Sequence, residues 1–455
     1  MKNKEIAARI DAMESLLADT LSAWLRVPSV KADPEPGAPF GPEVRRMLDL
    51  ALETGRSLGF SVRDVDGYAC DMTLGSAPEA IAVLAHLDVV PAGDGWTRPP
   101  FEPTREGDRI YARGTSDDKG PAVAALIAMK AIRDAGIPLK RSIRLILGCD
   151  EESGWEDMAY YAAHIGLPEL GFSPDASFPL INTEKGMLHC MIHAPLAEDG
   201  LQVKRLWTGE RMNVIPGECE ALLEGGADLA AQTAAYAGKT GLPYEAELTA
   251  EGVRVIAHGI PGHSAYPWDR RNAIGMMLCL LKELGVQGPL LTLANALGME
   301  HTGASLGCAC RDEVSGELTC NMGILHLENG QISASLDLRC PITADLKALE
   351  ASLRSHLPGF TFGEVETKAP HHVPADSELV SCLLAAFTEE TGLPGVPEAT
   401  GGGTYAKVLK QGVAFGASFP GDEDLAHQAN EYTTVSGLIK SAKIYANALL
   451  RLCAE

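Results

Sequence analysis

The chain has no surplus of positive charge. Its 61 acidic residues outnumber its 38 lysines and arginines, for a formal net charge of −23. Nucleic acid binding needs a basic face, so that function class is excluded. The charge does not by itself call for a cationic ligand, because solubility accounts for it. Long apolar runs are also missing. None approaches the roughly 20 residues of a membrane span, so no membrane partner is expected. The first 25 residues lack the apolar core of a signal peptide. They are charged, with Ile6, Ile10, Met13, Leu17 and Leu21 at helical spacing, and read as a helix. A regular cysteine framework is missing too. The 11 cysteines are odd in number and scattered in apolar settings such as Leu278-Cys-Leu280. They read as reduced core thiols of a cytoplasmic protein. Cys308-Ala-Cys310 is the one close pair, and structural zinc sites usually have wider spacing and further partners. Gly401-Gly-Gly-Thr404 lacks the G-K-[ST] ending of a phosphate loop, which argues against a nucleotide site. Its backbone N–H groups can still hold an anionic group.

What is present is a set of histidines and acids at the ends of predicted strands. Residues 80–85 form an apolar run that reads as a strand buried on both faces. The run ends in His86-Leu-Asp88 and the break Pro91-Ala-Gly-Asp-Gly95. Alternate strand residues share a side. One side can therefore present a nitrogen ligand beside a carboxylate that orients it. Surface residues at a strand edge are the plainer reading of that motif alone. Next, Arg113-Gly-Thr-Ser-Asp117-Asp118-Lys119-Gly120-Pro121 leads into a helix pattern at residues 122–133. An Asp before a helix suits an N-cap, but one suffices. A strand at residues 143–147 then runs into Asp150-Glu151-Glu152. Three consecutive acids repel one another unless cations are near, and a solvated turn is the alternative. Asp175 and His427 follow. Two histidines with several carboxylates suit zinc, or manganese where oxygen ligands dominate. The surplus of carboxylates suggests two metals bridged by one of them. Adjacent glutamates can then divide the work, one ligating and the other acting as general base.

At this point the chain resembles a known family, the co-catalytic zinc metallopeptidases that include aminoacylases, carboxypeptidase G, succinyl-diaminopimelate desuccinylase and carnosine dipeptidase. Within it the likeness is to the PepV-type dipeptidases. The matching segments are His86 to Trp96, Ala112 to Pro121, Asp150-Glu-Glu-Ser-Gly154, Ser173-Pro-Asp175, Gly401-Gly-Gly-Thr-Tyr-Ala406 and His427-Gln-Ala-Asn-Glu431. The resemblance implies two divalent ions, zinc first, with manganese or cobalt as alternatives. It implies His86 and Asp175 on one ion, Glu152 and His427 on the other, and Asp117 bridging both. Asp88 would orient His86 without binding metal, and Glu151 would be the general base. The peptide bond after Asp117 would be cis. The expected reaction is hydrolysis of unblocked dipeptides, Xaa-His or β-Ala-Xaa among them, by a hydroxide bridging the ions. Two other readings stand beside it. One is an N-acyl amino acid or succinyl-diaminopimelate deacylase, and the other a non-catalytic peptide-binding protein on a peptidase fold.

The length of 455 residues favours more than one domain. Residues 1–183 alternate strand and helix patterns, as in a mostly parallel, phosphorylase/hydrolase-like α/β sheet covered on both faces. The same texture returns over residues 367–455 and ends in a helix at about 435–452. Between them, residues 184–366 alternate apolar and polar residues in segments such as 252–258 and 331–339. That pattern suggests antiparallel strands with one wet face, in an α+β insertion with a helix at 273–284. Ligands lie on both sides of the insertion, so the flanking segments must fold together, with the insertion as a lid. In the lid, Gly259-Ile-Pro-Gly-His263-Ser-Ala-Tyr-Pro267 is similar to the family segment whose histidine stabilises the oxyanion, although Ser-Ala stands where relatives have Ala-Ser. Asn213 and Arg339 match substrate-binding positions, and Arg carries a fork suited to a carboxylate. Gly402, Gly403 and Thr404 would hold the same anionic terminus. The partner is then a small peptide. A monomer is compatible with a lid histidine supplied in cis, and a homodimer is left open.

Overall fold

The computed structural model describes residues 2–423 and 425–454; Met1, where the predicted first helix begins, lies outside the described residues. The chain divides into two compact units. One comprises Met1–Asn182, His372–Glu398 and Gly403–Glu455, the other Thr183–His371 and Ala399–Gly402. Among the described residues, no helix is long and apolar enough to cross a membrane.

The first unit is built on a mixed sheet. Its strands run in the order Ser61–Val65, Ala69–Leu74, Ser142–Gly148, Ala80–His86, Leu170–Ser173, Gln411–Ala414, Ile181–Glu184 and His371–His372. From Ser142–Gly148 to Gln411–Ala414, neighbouring strands pair in parallel. The flanks are antiparallel. On one flank the reason is local. Asp66 and Gly67 both have positive φ, 52° and 80°. They form the tight turn that joins antiparallel strands, which is too short for a crossover.

Ala80–His86 is buried along its whole length except at Ala80. Ile81, Val83 and Ala85 pack in one apolar cluster, with the helices Lys119–Asp134 and Val435–Cys453. Ala82 and Leu84 face another, with Met158, Tyr161 and Leu409. The two-residue strand period thus feeds two cores at once. Each fully buried aliphatic side chain contributes roughly 1.5–3 kcal/mol. The predicted N-terminal helix is in fact two, Lys2–Asp11 and Glu14–Leu25. They part at a tightened turn in which Met13 N donates to Ile10 O at 2.9 Å. The apolar stripe survives the break, with Ile6, Ile10, Leu17 and Leu21 buried.

The inserted unit carries an antiparallel sheet. Its order is Tyr244–Thr249, Gly252–His258, Glu218–Leu223, Val203–Thr208, Leu325–Glu328, Gln331–Cys340, Gly186–Pro195 and Thr361–Lys368. The helix Ala273–Glu283 packs on it, capped by Asn272, whose side chain accepts from Ile274 N at 2.8 Å. The wet face predicted for residues 331–339 is absent from the second half of that strand. Ser335, Asp337 and Arg339 are all buried. Their polar groups bond to one another and to neighbouring backbone, which removes the need for water.

Candidate metal centre

Three neighbouring parallel strands deliver acids and a histidine from their carboxyl ends, where open α/β sheets place ligands. Ala80–His86 ends in His86, Ser142–Gly148 leads to Glu151 and Glu152, and Leu170–Ser173 leads to Asp175. Asp117 comes from the loop before the helix Lys119–Asp134, and the Asp117–Asp118 bond is cis. A Cβ at Gly120 would collide with the Thr115 carbonyl, so that loop closes only over a glycine. Asp118 stands at the N-cap position, yet its side chain makes no cap. Its Oδ2 instead accepts from His86 N at 3.2 Å. The N-cap reading of the Asp pair therefore fails.

The His86 ring has its Nδ1 2.9 Å from the Asp88 carbonyl oxygen. A carbonyl only accepts, so in the neutral ring Nδ1 holds the proton and Nε2 offers its lone pair to the cluster. The Asp88 carboxylate, expected to orient this ring, stands beside the same nitrogen. It lies 3.5 Å from Nδ1. Its oxygens accept from Glu151 N at 3.2 Å and Glu152 N at 3.1 Å. The carbonyl and the carboxylate of Asp88 both face His86 Nδ1, and the carboxylate also holds the turn that carries the two glutamates.

Asp117 lies between two histidines. His86 Nε2 is 2.9 Å from Oδ1, and His427 Nε2 is 2.9 Å from Oδ2. His427 Nε2 is also 3.0 Å from Glu152, and His86 Nε2 is 3.8 Å from Asp175. Ligand atoms of His86, Glu151 and Asp175 all lie within 4.8 Å of one another. So do those of His86, Asp117 and Glu152. These donors are imidazole nitrogens and carboxylate oxygens, the set that zinc and manganese take.

The charges fit a cation as well. Burial, with the charges of Asp175, Glu152 and Asp117, outweighs the pull of His86 and holds the Glu151 carboxyl well above the usual carboxylate range. Burial and the Asp117 charge raise Asp175 to about 7. Burial raises Glu152 too. Burial would also raise Asp117, but bonds from His427 and His86 pull it below its ordinary value. Bonds to Asp117 and Glu152 lift His427 to about 10. The histidines are thus standing in as the cations that the carboxylates need.

The other predicted residues lie mainly in the inserted unit. His263 pairs with Val214 in a short antiparallel ladder, and Ser264 N donates to Asn213 O at 3.0 Å. The structure therefore sets His263 beside Asn213. Arg339 is buried, and its fork is already engaged. Nε and Nη2 donate to Asp337 at 2.9 and 3.1 Å, and Nη1 donates to Gly401 O at 2.8 Å. The expectation of a fork free for a substrate carboxylate is corrected: an internal carboxylate occupies it. Ser264 Oγ donates to the same Asp337 at 2.5 Å, and His189 Nε2 lies 2.8 Å from it. Gly402 N donates to Thr400 Oγ1 at 3.0 Å in the same unit. Gly403 and Thr404 belong to the first unit, where Thr404 Oγ1 accepts from Ala406 N at 3.2 Å.

Sequence reasoning missed the groups that hold the glutamate turn. Asp157 is buried and accepts from Cys149 N at 2.6 Å, Asp150 N at 3.0 Å and the Tyr405 hydroxyl. Lys31 pairs with Asp150 at 2.6 Å. Asp150 is thereby a structural acid, and of the three consecutive acids only the glutamates face the cluster. Asp157 looks like an ordinary acid in the first turn of a helix, so no local signal marks it.

The sequence pattern described as Peptidase family M20/M25/M40 matches residues 82–451. The chain belongs to this peptidase family. It is 37% identical over 453 residues to a Bacillus subtilis (strain 168) protein named "Putative dipeptidase YtjP", covering 96% of this chain and 97% of that one. It is 32% identical over 467 residues to "Putative dipeptidase SSP1012" of Staphylococcus saprophyticus, covering 98% and 99%. Two solved structures share the fold across 99% of each chain. They are human carnosine dipeptidase 1, with a TM-score of 0.64 and 16% identity, and the di-peptidase Dug1p of Saccharomyces cerevisiae, with 0.62 and 14%. The mixed α/β architecture and the membership of a metallopeptidase family agree with the expectations drawn from the strand-end motifs.

Proposed function

We propose that this enzyme is a metal-dependent dipeptidase acting on unblocked dipeptides, with Xaa-His and β-Ala-Xaa as first candidates. One observation carries the reading: the two oxygens of Asp117 each meet a different histidine at 2.9 Å. That is the arrangement a carboxylate needs to bridge two ions. In this reading His86 and Asp175 would hold one divalent ion and Glu152 and His427 the other, with zinc, manganese or cobalt as the candidates. Bound ions would supply Lewis-acid polarisation of the scissile carbonyl and activation of a water.

The protein's own groups do the rest. This reading leaves Glu151 off both ions. That glutamate takes the proton from the attacking water and returns it to the leaving amine. Its raised proton affinity suits both halves of that task. His263 donates toward the developing oxyanion. Asn213 and the loop at 402–404 hold the free carboxylate of the substrate, while Arg339 fixes Gly401 from behind that loop. Residues 1–183 and 367–455 are then the catalytic domain, and residues 184–366 carry the lid function.

The test is a panel of dipeptides and N-acyl amino acids, run on chelated protein with separate add-back of zinc, manganese and cobalt. Metal-restored cleavage of dipeptides is expected. Turnover of N-acyl amino acids alone would give the deacylase reading instead. Activity untouched by chelation would end the metal mechanism.

A further inference from the structure

Glu431 is the fifth residue of the motif that begins at His427, and the reaction leaves it without a task. It is 0% exposed, and Arg113 is 1% exposed. The two pair at 2.7 Å. The remaining side-chain bonds to Glu431 come from the loop that carries Asp117. Gly114 N donates at 3.1 Å, Thr115 Oγ1 at 3.3 Å, Ser116 N at 2.8 Å, Ser116 Oγ at 2.9 Å and Asp117 N at 3.4 Å. A carboxylate has about four lone-pair sites, so this one is saturated. Arg113 reaches outward from the same point. Its Nη1 donates to Gln428 O at 3.2 Å, one residue from His427, and its Nη2 donates to Ala92 O at 3.1 Å, in the segment after Asp88.

Stability alone does not account for such a pair. Replacing a buried ion pair by apolar residues is often neutral or stabilising. What this pair does is tie together three segments that are distant in sequence: the loop after His86, the loop before Asp117 and the turn of His427. That turn also needs restraint. His427 and Asn430 both have positive φ, 64° and 61°, which is uncommon outside glycine. Asn430 Oδ1 is held by Thr97 N at 2.9 Å.

We propose that Glu431, braced by Arg113, is a positioning residue that sets the spacing between Asp117 and His427 and so tunes the affinity of the metal centre. The proposal rests on reading that cluster as a metal centre. Groups of this kind, acting through a ligand, typically change metal affinity by about 10–100-fold when removed.

The decisive variant is Glu431→Gln. It keeps the shape but turns an acceptor oxygen into a donor facing Arg113 and Gly114. Chelated wild type and variant are titrated with Mn²⁺ alone, and free Mn²⁺ is read by electron paramagnetic resonance. The expected result is Mn²⁺ binding weaker by about 10–100-fold in the variant, with activity recovered at saturating Mn²⁺. Wild-type affinity in Glu431→Gln overturns the proposal, whatever its melting temperature. If that variant does not fold, Ser116→Ala removes one bond of the brace and leaves the ion pair. It is expected to weaken Mn²⁺ binding about threefold, the low end for a hydrogen bond, and unchanged binding overturns the proposal there. Wild type that binds no Mn²⁺ defeats the metal reading itself, and the proposal with it.

Discussion

Each of the two units gathers a polar cluster, and the two clusters differ in exposure and in charge balance. In the first unit four carboxylates, from Asp117, Glu151, Glu152 and Asp175, meet two imidazoles. Burial and mutual repulsion raise three of the four. In the inserted unit a single carboxylate, Asp337, is met by Arg339, Ser264 and His189. Burial works to raise it, but bonds from His189, Arg339 and Ser264 hold it at about 2. A cluster with a deficit of positive charge leaves a place for a cation. A balanced one is complete already, and serves to hold the backbone around it. The same residue types therefore make an acid-rich cluster suited to a cation in one unit and a structural joint in the other.

The sharpest way to break this comparison is Glu151→Gln. Loss of a general base is expected to lower kcat by about 10²–10⁴, with metal content unchanged by elemental analysis. A loss of only twofold would move the base elsewhere. Asp337→Asn tests the other cluster. Removing one partner of a buried pair costs about 3–5 kcal/mol, read as a lower urea midpoint, with metal content again unchanged. If metal is lost as well, the two clusters are not independent.

Dependence on pH should separate them by sign. Asp337 sits below the ordinary Asp value of about 3.9. Its stabilisation is present above that value and fades as pH falls toward about 2. Asp175 and His427 are raised, to about 7 and about 10. Their stabilisation is present at low pH. It fades for Asp175 as pH rises from about 4 to 7, and for His427 from about 6.5 to 10. Chelated protein should therefore melt at lower temperature as pH rises from 5 to 9. Divalent ions should cancel the trend, because they replace protons on the same atoms. A melting temperature that climbs over this window without metal would contradict the assignment. The smallest expected effect is that of Ser264→Ala. The lost bond to Asp337 is worth about 1 kcal/mol, and a calorimetric scan would show it.

Much of the metal cluster was legible in the chain because its parts are local. A strand read from an apolar run ends at His86, another leads to Glu151 and Glu152, and the helix after Asp118 starts where its composition changes. Sequence neighbours that share an element keep their relation whatever the rest of the fold does. Other features were legible in kind but wrong in detail. Residues 331–339 do form a strand, but its polar side is buried. Alternation reports which side is polar, and only the partners across the sheet decide whether water is there.

The chain by itself settled the element types near the site and the residue types gathered there, because periodicity and residue type act over a few residues. Tertiary structure alone decided what each carboxylate does. Asp88 serves the amides of Glu151 and Glu152, 63 and 64 residues away. Ser264 finds Asp337 at a separation of 73 residues, and Arg113 finds Glu431 at 318. Hydrogen bonds reach only about 3 Å. Whether an acid becomes a ligand, a base or a brace is therefore fixed by which donors the folded chain brings within that reach.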